Sequence, residues 1–221
     1  MAYKGIIFDL DGTLLDTITD LKTATNHALK AYGFKEVNYS QTLAAVGNGV
    51  LKLLENCAKY DGNQELNDEI LGLLLEKFSQ KYQECFMDET KPYPGIIELL
   101  KKLNEKNIKI AINTNKLQAF SESLVAKIFG DIKFEKIIGD DLNHPKKPDP
   151  FAANTLVELF NFDKKDILYV GDSEVDLCTA SNAEVDGCFV AWGFRKHHQI
   201  AHIKHKYIVH SVKELDDLIW S

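Results

Sequence analysis

The chain has 221 residues, of which 45% are hydrophobic, and its formal net charge at pH 7 is -7. This length and composition fit one large globular domain or two unequal ones, and the acidic balance argues against general binding of nucleic acid or of an anionic membrane. The four cysteines are irregularly spaced and contain no Cys-x-x-Cys pair, which indicates reduced thiols without a zinc site or a disulfide scaffold. We see no targeting or membrane-spanning stretch and therefore expect a cytoplasmic protein.

Short runs rich in Ile and Val recur along the chain and predict strands. In chain order they are GIIF, IKIAIN, EKIIG, DILYVG, GCFVAW and KYIVH. Most of them are separated by stretches of helical periodicity, which predict helices over residues 96–105, 118–129, 150–160 and 212–220. Asp149 is the expected N-cap of the third of these helices, with Pro150 in its first turn. Continuous apolar strands that alternate with helices are typical of a parallel sheet covered on both faces.

One long segment, residues 17–90, carries no strand signal. Its apolar residues recur at helical spacing, and it is too long to be a simple connection. We therefore predict a second, α-helical domain of residues 17–90, inserted into a sheet domain of residues 1–16 and 91–221. A helical subdomain that only enlarges the core is the alternative.

Polar residues follow four of the predicted strands. They are Asp9 with Asp11, Thr114 with Asn115, Lys146 with Lys147, and Asp172 with Asp176. Because ligands bind at the carboxyl ends of the strands in open parallel sheets, we expect these side chains to converge on one crevice. Clustered carboxylates would raise one another's pKa values unless a cation lay among them, which favours Mg²⁺.

The spacing of the first two carboxylates predicts their chemistry. Asp9 can attack phosphorus as the nucleophile, while Asp11 reaches the leaving oxygen as general acid and later activates water, with a covalent aspartyl-phosphate between the two steps. Lys147 and the metal would stabilise charge on the transferred group. The Asp11-Gly12-Thr13 turn is expected to bring backbone N–H groups close to phosphate oxygens. A calcium-binding EF-hand is excluded because its glycine is sixth from the first Asp, whereas Gly12 is fourth.

These motifs resemble the four motifs of the haloacid dehalogenase superfamily. They are DLDGT, Thr114 in NTN, Lys147 in KKPDP, and GDSEVD. The resemblance spans nearly the whole chain and implies an α/β fold, a Rossmann-like doubly wound parallel sheet with an inserted α-helical cap. It also implies that Asp9 is the nucleophile, that Asp11 is the acid/base, and that Thr114 and Lys147 bind phosphate.

The same resemblance implies a Mg²⁺ cofactor. Its ligands would be the Asp9 side chain, the Asp11 backbone carbonyl and Asp172, with Asp176 in a supporting position.

Within the superfamily, the chain is most similar to phosphoglycolate phosphatases, which convert 2-phosphoglycolate to glycolate and phosphate. The similarity rests on FDLDGTLLDT, VGNG, TNK, KPDP and WGFR. The residues expected to bind substrate are Thr13, Gly47, Asn48, Gly49, Asn115, Lys116 and Arg195. A plain turn explains VGNG almost as well, and simple surface charge explains Arg195 equally well.

Several related activities remain as alternatives. Pyrophosphatases and broad-specificity sugar or nucleotide monophosphate phosphatases share several of these motifs. Dehalogenases lack the second Asp of the first motif, so Asp11 favours phosphate chemistry. Phosphosugar mutases place a His where this chain has Leu21, and a non-catalytic binder of phosphorylated ligands would be expected to have lost Asp9 or Asp11.

The remaining expectations concern partners and a histidine-rich stretch. We expect a small phosphorylated metabolite as the partner, no nucleic acid and no membrane, and a monomer or homodimer. The stretch from His197 to His205 is predicted to be a solvated basic face because no Asp or Glu completes a metal site there.

Overall fold

The computed structural model describes residues 3–62 and 66–221. The chain divides into two units, one formed by Met1–Leu15 with Pro92–Ser221 and the other by Asp16–Lys91. The predicted domains also run over residues 1–2 and 63–65, which lie outside the described residues.

A six-stranded parallel sheet forms the centre of the first unit, in the order β5-β4-β1-β6-β7-β8. Its strands are β1 (Gly5–Phe8), β4 (Lys109–Leu117), β5 (Ile137–Asp140), β6 (Ile167–Gly171), β7 (Asp186–Val190) and β8 (Tyr207–Val209). Two further strands are β2 (Leu15–Asp16) and β3 (Lys91–Pro92). The two short strands β2 and β3 form a separate two-stranded sheet. The predicted α/β class is thereby confirmed.

Along the chain, the helices of this unit alternate with the strands, and the last helix follows β8. They are α5 (Ile96–Glu105), α6 (Gln118–Phe129), α7 (Phe151–Phe160), α8 (Glu174–Asn182), α9 (His197–Ile200) and α10 (Val212–Trp220). The prediction for the start of α7 was wrong by one residue. The N-cap is Pro150, not Asp149. Asp149 lies one residue before the N-cap, and its carboxylate accepts a hydrogen bond from the backbone N–H of Phe151 at 2.9 Å.

Both faces of the sheet are buried. Ile6 and Ile7 point to opposite faces of β1, and each is fully buried. On the Ile7 face, Phe160 of α7 and Tyr169 of β6 belong to one apolar cluster. A Cβ atom at Gly5 would collide with the Phe160 ring, so a glycine here lets α7 pack closely on the sheet. This explains the continuous apolar runs in the sequence.

The described residues of the second unit form four helices. They are α1 (Ile18–Ala31), α2 (Tyr39–Ala45), α3 (Val50–Lys59) and α4 (Asp68–Cys85). Helices α1 and α4 pack along each other, and Phe78 and Tyr82 of α4 stack with ring centroids 5.2 Å apart. Across the described residues of both units, no helix has the length and apolarity needed to cross a membrane.

The buried carboxylate of Asp20 connects the start of α1 to the segment after α4. It accepts hydrogen bonds from the backbone N–H groups of Glu89 and Thr90, and also from the Thr90 hydroxyl at 2.7 Å. These bonds hold the two ends of the helical unit together.

Candidate active site

The site lies where the strand order of the sheet reverses. From β1 the chain continues to β4 on one side and later returns to β6 on the other, so β1 and β6 are neighbours. Asp9 follows β1 and Asp172 follows β6, and the backbone N–H of Asp9 donates to the carbonyl of Val170 at 2.9 Å. This reversal is the place where open α/β sheets bind their ligands.

Three carboxylates and one ammonium group form the buried centre of the site. One carboxylate oxygen from each of Asp9, Asp172 and Asp176 lies within 4.8 Å of the others. Lys147 Nζ lies 2.7 Å from Asp9 Oδ1 and 2.7 Å from Asp176 Oδ1. All four side chains are buried, so their charges interact strongly. The structure thus brings these four sequence-predicted residues together.

Burial sets the ionisation of the carboxylates. It raises the pKa of Asp9 from 3.8 to about 7, the charge of Asp176 adds to the shift, and Lys147 opposes it. Burial also raises the pKa of Asp172 well above its usual range, together with the charges of Asp176 and Asp9, while the backbone N–H of Phe194 lowers it.

Lys147 remains an ammonium ion. Burial alone would lower its pKa, but the carboxylates of Asp176 and Asp9 raise it well above its usual value. If all three carboxylates are ionised, one ammonium group leaves two negative charges unbalanced, and a divalent cation with a preference for oxygen ligands fits this donor set.

Asp176 is fixed by protein hydrogen bonds on both of its oxygens. Oδ1 accepts from Lys147, and Oδ2 accepts from the backbone N–H and the hydroxyl of Ser173 at 3.1 and 2.5 Å. Ser173 is the N-cap of α8, so the start of that helix holds the carboxylate in place. A Cβ atom at Gly171 would collide with Asp176, which explains the glycine before Asp172.

The turn after Asp11 is tight, as Asp-Gly-Thr predicted. Gly12 has φ +88°, and a Cβ atom there would collide with the carboxylate of Asp172. Two of the turn's N–H groups are used inside it, because Gly12 N donates to Leu15 O at 2.8 Å and Thr13 N to Leu10 O at 3.4 Å. The approach of the turn to phosphate oxygens stays a prediction. The Thr13 hydroxyl is buried and has no partner among the described residues.

Asp11 does not join the carboxylate cluster. Its two oxygens lie 3.0 and 3.2 Å from Lys116 Nζ, whose side chain is buried. Thr114 Oγ1 accepts a hydrogen bond from the backbone N–H of Lys116 at 3.2 Å. The register of β4 against β5 shifts between Asn113 and Leu117, so these side chains lie on an irregular stretch of the strand.

Asn115 holds the main chain of Lys147. Its Oδ1 accepts from the backbone N–H of Lys147 at 3.0 Å, and its Nδ2 donates to the carbonyl of Lys147 at 3.1 Å. The amide therefore fixes the Lys147 backbone to the end of β4, whereas the expected contact of Asn115 with substrate stays a prediction.

Arg195 and residues 47–49 are the remaining residues predicted to bind substrate. Arg195 Nε lies 3.2 Å from Glu174 Oε2 in the sheet unit. Gly47, Asn48 and Gly49 lie in the loop between α2 and α3 of the helical unit, where Gly49 is the N-cap of α3. Their role in binding substrate stays a prediction.

The histidine-rich stretch forms no metal-binding group with other residues of the described chain, where the carboxylate cluster is the sole candidate. The rings of His197 and His205 meet edge to face, with centroids 6.3 Å apart.

Tyr169 was missed in the sequence, and the WGFR segment was named there without a prediction of its contacts. Tyr169 is buried in β6, lies close enough to Lys147 for their charges to interact, and donates its hydroxyl to the carbonyl of Asn113 at 3.4 Å. The segment 192–195 contacts both Thr13 and Asp172. The available signal for Tyr169 was a Tyr inside an otherwise aliphatic strand, three residues before Asp172.

Several known proteins are similar to this chain in sequence. A sequence model of the haloacid dehalogenase-like hydrolases matches residues 6–190. A phosphoglycolate phosphatase from Vibrio vulnificus is 33% identical over 218 residues, which cover 98% of this chain and 96% of the relative. A phosphoglycolate phosphatase from Aquifex aeolicus is 31% identical over 87% of each chain.

A solved structure supports the same assignment. The crystal structure of a candidate phosphoglycolate phosphatase from Lactobacillus delbrueckii subsp. bulgaricus matches with a TM-score of 0.93 and 29% identity, over 99% of both chains. Because the family match covers most of the chain and includes the motifs at Asp9, Thr114, Lys147 and Asp172, this chain belongs to the haloacid dehalogenase-like hydrolases.

Proposed function

We propose that this enzyme hydrolyses 2-phosphoglycolate to glycolate and phosphate through an aspartyl-phosphate intermediate. It is a phosphatase, a phosphoric monoester hydrolase of its family. The observation that carries the mechanism is the separation of two carboxylates, with Asp9 in the buried cluster beside Lys147 and Asp11 held outside it by Lys116. The relatives named phosphoglycolate phosphatase, at about 30% identity over most of the chain, support the substrate.

In the first step, an Asp9 carboxylate oxygen attacks phosphorus and the bond from phosphorus to the leaving oxygen breaks. Asp11, in its protonated form, gives its proton to that oxygen, so glycolate leaves as the alcohol. Lys147 stays beside Asp9 and stabilises negative charge on the transferred group.

In the second step, water attacks the phosphorus of the aspartyl-phosphate. Asp11, now a carboxylate, takes the proton from that water, and the bond from phosphorus to the Asp9 oxygen breaks. Phosphate leaves and Asp9 is regenerated. The contact with Lys116 Nζ keeps the Asp11 carboxyl group at a fixed place through both steps.

The proposal includes a Mg²⁺ ion, held by the Asp9 side chain, the Asp11 backbone carbonyl and Asp172, with Asp176 in support. When bound, this ion supplies positive charge that offsets the carboxylates and polarises the phosphoryl group. The pKa values of Asp9 and Asp172, raised by burial and by neighbouring charges, support a cation at this place.

The assignment of a catalytic sheet domain and a helical cap is part of the same proposal. So is a cytoplasmic location, which the four free thiols support. A small phosphorylated metabolite is the proposed partner of a monomer or homodimer.

Phosphate release from 2-phosphoglycolate tests the proposal. We expect turnover with Mg²⁺, none with a chelator, and none in Asp9→Asn, whose amide cannot form the aspartyl-phosphate. Specificity constants for pyrophosphate, sugar phosphates and nucleotide monophosphates establish the substrate. A specificity constant higher for one of these than for 2-phosphoglycolate would make that compound the substrate. Turnover by Asp9→Asn would exclude the covalent mechanism.

A further inference from the structure

A short loop after β7, residues Trp192 to Arg195, contacts both chain segments that carry the carboxylates; we call it the 192–195 loop. The backbone N–H of Phe194 donates to Asp172 Oδ2 at 2.6 Å, and Trp192 Nε1 donates to the carbonyl of Thr13 at 3.1 Å. Arg195 Nε lies 3.2 Å from Glu174 Oε2. The loop therefore connects the turn after β1 to the turn after β6.

Gly193 brings this loop into close contact with both segments. A Cβ atom at this position would collide with the Asp172 side chain and with the carbonyl oxygen of Gly12. A larger residue at this position would therefore move the loop, the Asp172 side chain or the Gly12 carbonyl out of its present place. The glycine is required by the close approach of the three segments, as its neighbours on both sides are fixed by hydrogen bonds.

The Asp172 carboxylate is restricted from two directions. The Phe194 N–H binds one of its oxygens, and Gly12 packs against the same carboxylate. Groups that hydrogen-bond a metal-binding carboxylate orient it, and their loss typically weakens metal affinity about 10- to 100-fold.

We propose that the 192–195 loop positions two metal ligands of this enzyme. Trp192 fixes the turn after Asp11, whose backbone carbonyl is one proposed ligand, and Gly193 and Phe194 fix the carboxylate of Asp172, which is the other. This inference rests on the metal site of the proposed function. Its residues act through Asp172 and the Thr13 carbonyl, so they are positioning residues.

Direct titration with Mn²⁺ or Mg²⁺ in the absence of substrate tests the loop, with isothermal calorimetry as the readout. Trp192→Phe keeps an aromatic ring but removes the N–H, and we expect its metal dissociation constant to rise several-fold. Gly193→Ala should raise the constant about 10- to 100-fold. At saturating Mg²⁺, we expect the KM of Trp192→Phe for substrate to remain that of the wild type.

The chain offers two matched controls. Trp220 also donates its Nε1–H, to Asp216 at 2.7 Å on α10, so Trp220→Phe removes the same type of bond elsewhere. Gly72 lies in α4 with open space at its Cβ position, so Gly72→Ala adds a methyl group without a collision. Both variants should bind metal as the wild type does.

The outcomes separate the loop from the metal site itself. If the wild type binds no metal, the metal site is excluded and the role of the loop with it. If the wild type binds metal and Trp192→Phe binds it equally well, or shows a raised KM alone, the loop does not position metal ligands. Should Gly193→Ala fail to fold by circular dichroism, Trp192→Phe decides.

Discussion

Lys147 Nζ lies 2.7 Å from Asp9 Oδ1 and belongs to a segment 138 residues further along the chain. The same ammonium group contacts Asp176 at 2.7 Å, and Asn115 fixes its backbone on both sides. The lysine therefore connects the proposed nucleophile after β1 to the first turn of α8. Its removal would leave two buried carboxylates without their cationic partner.

We expect Lys147→Met to lose at least about 100-fold in kcat, because a fixed charge beside the transferred group is lost. We also expect a loss of about 3–5 kcal/mol in the free energy of unfolding of the metal-free protein, the usual cost of breaking a buried ion pair. Phosphate release and urea unfolding measure the two effects.

The neighbouring lysine provides the control for this prediction. Lys146 is partly exposed and lies 3.3 Å from Asp140, so Lys146→Met should change stability by less than about 1 kcal/mol. Equal effects of the two substitutions would show that the contact with Asp9 has no special role.

The raised pKa values predict how stability depends on pH. In the folded, metal-free protein the pKa of Asp9 is about 7, against an ordinary value of 3.8. Between these two values the folded state keeps a proton that the unfolded chain has released, so this group's contribution makes stability fall as pH rises from about 4 to about 7. Asp172 shifts in the same direction because of burial and its acidic neighbours.

We therefore expect Mg²⁺ to raise the melting temperature of chelator-treated protein more at pH 7.5 than at pH 5.5. Asp172→Asn should melt at a higher temperature than the wild type in chelator at pH 7.5 and should lose most of the stabilisation by Mg²⁺. Asp163→Asn, at an exposed ion pair with Lys165, is the matched control and should behave as the wild type. Equal stabilisation of Asp172→Asn by Mg²⁺ would contradict this prediction.

The separate position of Asp11 predicts a dependence on the leaving group. If Asp11 donates the proton to the leaving oxygen, Asp11→Asn should lose far more kcat on 2-phosphoglycolate, whose alkoxide is a poor leaving group, than on p-nitrophenyl phosphate. We expect the two losses to differ by about 100-fold, within the usual range for general acid catalysis. Equal losses on both substrates would mean that Asp11 acts on another step.

The sequence predicted the fold and the converging residues better than their partners. Asp9 and Asp172 could be placed at one edge of the sheet because the carboxyl ends of parallel strands meet there. The pairing of Asp11 with Lys116, 105 residues apart, could not be predicted, because it depends on the irregular register at the end of β4. Asp-Gly-Thr predicted a tight turn, but not that Gly12 and Thr13 use their N–H groups inside it.

The buried carboxylate of Asp20 predicts a stability effect within the helical unit. Because it accepts hydrogen bonds from Glu89 N, Thr90 N and the Thr90 hydroxyl, Asp20→Ala should lower the free energy of unfolding by at least about 2 kcal/mol. Thr23→Ala, at an exposed position of the same helix, should change it by less than about 0.5 kcal/mol. Asp20→Asn, which keeps one acceptor oxygen, should fall between the wild type and Asp20→Ala in urea unfolding. Equal stability of Asp20→Ala and Thr23→Ala would mean that these bonds do not hold the ends of the helical unit together.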